Sequence, residues 1–380
     1  MEKSFETHYK LTKGYVFDSM FVLQRIVAKQ HASVRLFESR KGFGARGDLV
    51  SALMAELPDG DQKFLMRSAP VRDMVLAPDG ERYEALQKVL AGLSDSVEGD
   101  WRKRWGRLGF ESDISLTGPY PFVVTLWDPV APQGTWSEMR GVEKLFDEKI
   151  STKIGSAPCK LIAFDEARAR EVAGALQDLT KLSMLVGQDI SINVRHYCLF
   201  DFRDPEHNQE SAGHIRAKSL TSSSMLGCCL LSPSLFTSRY ITMEALYHEA
   251  LHMKYFNFIS VAKIHSDGYI GDSGEQFHCT WHATNLNGKP LWPFDRAFAA
   301  FHVYTHLFAF YNVVLSHPDA GPDYVEWVRE RQVHIIERGT MLCDWLEGQY
   351  KKVFNENGKT FFHILATLFA ESRRNYEEII

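Results

Sequence analysis

Apolar positions along the chain change period several times, and each change marks an element. Over residues 15–38, Phe17, Met20, Phe21, Leu23, Ile26 and Val27 recur at helical spacing, which predicts a helix. Further helical segments are expected around 49–57, 62–76 and 82–108, separated by loops at Lys41-Gly42-Phe43-Gly44 and Pro78-Asp79-Gly80. The pattern then shortens. Residues 119–127 read as a strand after a turn, 139–150 as a helix and 159–164 as a short apolar strand. Asp165 is placed to cap a helix running to about residue 186, with Ala169, Val172, Leu176, Leu179 and Leu182 on one face. Ile192, Val194 and Tyr197 mark 190–202 as a β-rich run, and Leu-Gly-Cys-Cys-Leu-Leu at 226–231 as another apolar strand. Neither Gly nor Pro interrupts 241–259, and 294–315 is largely apolar, so both are expected to be helices. The expected class is α+β, mainly helical, with a small central sheet. Residues 1–115 form a helical N-terminal region and 116–380 the remainder, ending in C-terminal helices. No sharp compositional boundary separates the two, so one continuous domain also fits.

The helix at 241–259 carries Tyr247-His248-Glu249-Ala250-Leu251-His252, a His-Glu-x-x-His sequence, and following the strand at 226–231 it is expected to be a zincin-like HExxH metal helix. Two histidines four apart point the same way from a helix, so both imidazoles can hold one divalent metal, with Glu249 beside it. The alternative is a surface helix that happens to bear histidines. The apolar neighbours Leu246, Leu251, Met253, Tyr255 and Phe256 argue against it, because histidines on a largely buried helix need a partner.

Composition narrows the class. A hydrophobic content of 45% and a charged content of 24% are those of a globular chain, and a net charge of −5 gives no general affinity for nucleic acid. No run of 18 apolar residues suggests a membrane span, and the first residues lack the apolar core of a signal peptide. The six cysteines, with Cys228 and Cys229 adjacent, do not make a disulfide framework. A cytoplasmic chain with reduced, buried thiols is expected. The basic, aromatic run at 101–107 is read as a solvated helix face with its tryptophans packed inward.

Seven of the 15 histidines fall between residues 248 and 306, and a third metal ligand is expected among them or close by. His302 is the first choice, with His306 four residues on, inside the apolar helix. Glu275 would instead give the His-His-Glu set of many zinc enzymes. Arg296, or Lys289 upstream of it, is placed to pair with a carboxylate that also chelates the metal. A surface ion pair between Arg296 and a neighbour such as Asp295 is the competing reading.

The order of these features resembles a known family, the HExxH-motif peptide-modification proteins that act on ribosomally made, post-translationally modified peptides. The likeness runs over about residues 215–315. It rests on Ser219-Leu220-Thr221-Ser222-Ser223-Ser224-Met225-Leu226-Gly227, the strand 228–231, the helix 244–252, the Trp281, Pro290 and Pro293 segment, and the apolar helix with His302. Members often carry a Trp-Arg pair followed by Arg-Pro, where this chain reads Trp281-His282 and Lys289-Pro290. The resemblance implies an Fe(II)- and 2-oxoglutarate-dependent oxygenase that uses O2 to β-hydroxylate a precursor peptide. His248, His252 and His302 would hold iron, and Arg296 or Lys289 the distal carboxylate of 2-oxoglutarate. The 1–115 region, which the likeness does not cover, is either a peptide-docking part or simply part of the core.

Two other readings stay open. In a zinc metallopeptidase, His248, His252 and Glu275 would hold Zn2+ and Glu249 would be the general base. In a metal-stabilised binding module, the ion would be structural and fully ligated by protein, with His278 or His282 completing the set.

Overall fold

In the computed structural model the chain is described over residues 19–40, 51, 54–55, 62, 71–72, 83, 114–115, 123–127, 138–151, 159–202, 219–271, 274–281 and 291–379. The first helical pattern forms α1 (Ser19–Arg40), which buries Val22, Leu23, Ile26 and Val27. The basic run at 101–107 and most of the three expected helices around 49–108 lie outside the described residues.

Two strands follow, β1 (Ile114–Ser115) and β2 (Val123–Leu126), then helix α2 (Glu138–Lys149) and β3 (Cys159–Ile162). Helix α3 (Glu166–Leu182) starts where the sequence places it, because Asp165 accepts a hydrogen bond from the Arg168 N–H at 2.8 Å. The run expected to be β-rich from residue 190 divides differently. Helix α4 (Met184–Asn193) takes its first part and β4 (His196–Phe202) its second. Ser183 ends α3 and its hydroxyl caps α4 at Val186. Every residue of α4 from Leu185 to Asn193 is buried, so no polar face marks the helical period, and Ile190 and Ile192 pass for a strand.

Strands β5 (Ser219–Thr221) and β6 (Cys228–Leu231) complete a mixed sheet in the order β1-β2-β4-β6-β5, with β3 also paired to β4. β2, β4 and β6 run parallel, and β1, β3 and β5 antiparallel to their neighbours. The two faces follow the period of two. Tyr197, Leu199, Cys229 and Leu231 join the main core, while Cys198, Phe200, Cys228 and Leu230 pack with Val142, Leu145 and Phe146 of α2.

The main core is helical. It contains α5 (Arg239–Val261), α6 (Phe294–Ser316), α7 (Pro322–Val353) and α8 (Glu356–Ile379), with β7 (Phe277–His278) and β8 (Leu291–Trp292) pairing in the α5–α6 connection. Contacts between Tyr247 and Phe310 and between Tyr255 and Phe298 set α5 and α6 antiparallel. α7 returns along α6, with Gln332 donating to Asn312 at 2.7 Å and Trp345 packed on Phe294. By length and composition α6 could cross a membrane, but 78% of its apolar window is buried, as in a core helix. α1 packs against α4 and α5, with Leu23 against Ile192.

Candidate metal centre

Helix α5 is buried on most of its circumference. Tyr240, Glu244, His248, His252 and Phe256, each four residues from the last, form a half-buried stripe. The spacing read from sequence therefore becomes geometry: His248 and His252 turn their Nε2 atoms to each other at 3.1 Å, with ring centroids 4.8 Å apart. Two imidazole nitrogens bound at about 2.0–2.1 Å to one ion, at this separation, subtend an angle of roughly 100°. That lies within the range of octahedral and tetrahedral sites. Without a metal, the same separation lets one ring donate to the other. Burial, followed by His248 and Arg296, pushes the His252 imidazole well below its ordinary pKa and keeps it in the neutral form that binds metal.

Glu249 turns away from the stripe. It is buried, and its carboxylate accepts hydrogen bonds from the Ser219 hydroxyl at 2.6 Å and from the Thr221 hydroxyl, both on β5. The carboxylate thus fastens α5 to the end strand of the sheet. Ser219 and Thr221 are sequence-distant from Glu249, and nothing in their local pattern signals the role.

The candidates for the third ligand are widely placed. His302 is buried on α6, its ring 5.6 Å from Tyr255 and 4.2 Å from His306. Burial, His306, Lys254 and His252 all lower its pKa, so His302 stands within electrostatic reach of His252. His306 donates its Nδ1–H to the His302 carbonyl at 2.8 Å, which fixes Nε2 as its acceptor nitrogen. Glu275 is held on the surface by Gln349 and by Lys352 at 3.6 Å, beside a cleft of about 450 Å³. His265 pairs with Asp295 at 2.7 Å, and His278 is exposed on β7. Among the described residues, no three His, Cys, Asp or Glu side chains converge as a metal-binding group. His282 and Lys289 lie outside the described residues.

Arg296 opens the first turn of α6. It is exposed, its guanidinium lies 4.7 Å over Trp292, and its charge is felt at His252. Asp295 pairs with His265 in place of Arg296.

A buried polar brace behind the pair has no counterpart in the sequence reading. Lys254 Nζ donates to Asp189 of α4 at 2.8 Å, and Asn257 Nδ2 donates to Asn193 Oδ1 at 2.9 Å. At the other end of the stripe, Glu244 accepts from Arg331 Nε at 2.8 Å and from the Tyr311 hydroxyl.

In the comparisons with known proteins, no family model matches the chain and none of the curated proteins is similar to it.

Proposed function

We propose that the chain is a metal-dependent oxygenase of the HExxH peptide-modification type, with His248 and His252 as two ligands of one Fe(II). The observation that carries this reading is the pair of Nε2 atoms 3.1 Å apart on a half-buried stripe, within electrostatic reach of the Arg296 guanidinium, with the motif glutamate engaged by β5. Neutral imidazoles suit Fe(II), and few protein ligands leave positions for a chelating co-substrate and O2. Bound there, iron supplies hydroxylation of a C–H bond by O2, coupled to decarboxylation of 2-oxoglutarate to succinate and CO2. The chain's own residues bind and orient. Arg296 pairs with the distal carboxylate of 2-oxoglutarate. Ser219 and Thr221 hold Glu249, and with it the turn of α5 that bears both histidines. His302, buried on α6 and within electrostatic reach of His252, is proposed as the third ligand. The precursor peptide lies along the half-buried stripe of α5.

The placement of Glu249 and Glu275 weighs against a zinc peptidase. The first is engaged by two hydroxyls on β5, and the second by Gln349 and Lys352. Loading the chain with Fe(II) without oxygen, then admitting O2 with 2-oxoglutarate, should yield succinate that His248→Ala abolishes. Peptide cleavage by the zinc-loaded chain, with no succinate from the iron form, would overturn the proposal.

A further inference from the structure

A cleft of about 450 Å³ opens beside the first turn of α6, and it shares no residue with the histidine pair of α5. It is lined by the loop 266–271, by Glu275 and its neighbours, by the last two turns of α7 and by Pro293 and Phe294. Its size is that of a small-molecule site. The loop is fastened to the end of α7. The Ser266 N–H and hydroxyl both donate to the Val353 carbonyl, at 2.9 and 3.1 Å. Asn355 Nδ2 donates to the carbonyls of Lys263 and His265, at 2.9 and 3.2 Å. His265 stacks on Tyr269, with ring centroids 4.7 Å apart, and pairs with Asp295. Gly268, at φ +87°, makes the turn among these contacts in a conformation that side chains rarely permit. The cleft is thus preformed, and a ligand need not order the loop.

Its lining sets two opposite charges beside apolar surface. Glu275 accepts from Gln349 Nε2 through Oε2. Its other oxygen, Oε1, lies 3.6 Å from Lys352 Nζ, which is too far for a hydrogen bond. The two side chains are 64% and 68% exposed, so this ion pair holds neither group firmly. Asp267, also in the lining, is already bound by Lys263. Ile270 lines the same cleft and, at 68%, is the most exposed large aliphatic residue among those described. Val353 and Phe294 extend the apolar lining.

We propose that this cleft binds a free α-amino acid with a large apolar side chain. The ammonium takes Glu275 Oε1, the carboxylate takes Lys352, and the side chain lies against Ile270, Val353 and Phe294. An α-amino acid carries both charges on one carbon, so it answers Glu275 and Lys352 together through charge-assisted hydrogen bonds. A plain amine or a plain acid would leave one of the two unanswered. The site is independent of the metal and of the oxygenase reading.

The test is calorimetric titration of the full, metal-free chain with L-phenylalanine, L-leucine and L-tryptophan. Phenethylamine, 3-phenylpropionate and glycine serve as probes that lack the carboxylate, the ammonium and the apolar body. At least one of the three large amino acids should bind one per chain, and more tightly than all three probes. Glu275→Gln and Lys352→Met should each weaken it about 10- to 100-fold, the loss of a hydrogen bond between charged groups. Glu275→Gln should leave 3-phenylpropionate unchanged, and Lys352→Met should leave phenethylamine unchanged. Both positions are exposed, so neither variant threatens the fold. His248→Ala should bind the amino acid as the wild type does. No saturable binding of the three at millimolar concentration, or unchanged affinity in both charge variants, would overturn the proposal. Phenethylamine binding as tightly as the amino acids would reduce the site to an amine site and also overturn it. Loss of binding in His248→Ala would move the amino acid to the metal pair and overturn the cleft, while leaving the metal reading intact.

Discussion

Replacing Asp189 with Ala should be among the most damaging single changes in the molecule. The Asp189 carboxylate accepts from Lys254 Nζ at 2.8 Å, and the two side chains are only 6% and 5% exposed. The substitution leaves the Lys254 ammonium on α5 buried and without the Asp189 carboxylate. Breaking a buried pair in this way costs roughly 3–5 kcal/mol, a large part of the ~5–15 kcal/mol that holds a typical domain together. With a urea slope of about 3 kcal/mol per M, the midpoint should fall by about 1–2 M. Removing both charges with residues of similar volume, Asp189→Leu with Lys254→Met, should restore most of the loss, because the penalty lies in the stranded charge rather than in a strong net attraction. Urea unfolding followed by far-UV circular dichroism on the wild type, the two single variants and the double variant closes the cycle. A loss under about 1 kcal/mol for Asp189→Ala, or a double variant as unstable as the sum of the singles, would refute the reasoning. Because this pair joins α4 to α5 two residues beyond His252, metal affinity should fall in Asp189→Ala and recover in the double variant.

Three further outcomes are expected. His252 and His302 both have folded-state pKa values well below 6.5, chiefly through burial, so the unfolded chain takes up protons first as the pH falls. Their contribution to stability is present above pH 6.5 and is lost below it, by up to about 1.4 kcal/mol per pH unit for each histidine, so thermal unfolding of the metal-free chain should move down steeply between pH 6.5 and 5.5. A flat profile there would contradict the burial of the two rings. Ser219→Ala and Thr221→Val should each cost about 1.5–3 kcal/mol, the value of a hydrogen bond to a charged group, whereas Glu249→Gln should leave succinate formation within a few-fold of wild type. Abolition of turnover in Glu249→Gln with metal still bound would restore Glu249 as a base.

Much of the site was legible because its signal is local. A four-residue repeat on an uninterrupted helix fixes the direction of two side chains, and His248 and His252 need no tertiary information to face each other. The same holds for the Asp165 cap and for the short apolar strands at 159–162 and 228–231. Local reasoning stops where burial removes contrast: α4 has no exposed face, so its helical period is silent. It stops again where partners are far apart in sequence. Glu249 with Ser219, Lys254 with Asp189, and Arg338 with Trp281 are pairings made by the packing of separate elements, and each residue alone is an ordinary polar position. The third ligand belongs to this second class, which is why several histidines compete for it on sequence grounds.

The central claim is that His248 and His252 together hold one metal ion. Titration of the metal-free chain with Co(II), followed by its visible absorption, addresses it directly. One ion per chain should bind, with the signal lost in both His248→Ala and His252→Ala and retained in Glu275→Ala. Absence of binding, or an unchanged spectrum in either histidine variant, would contradict the account.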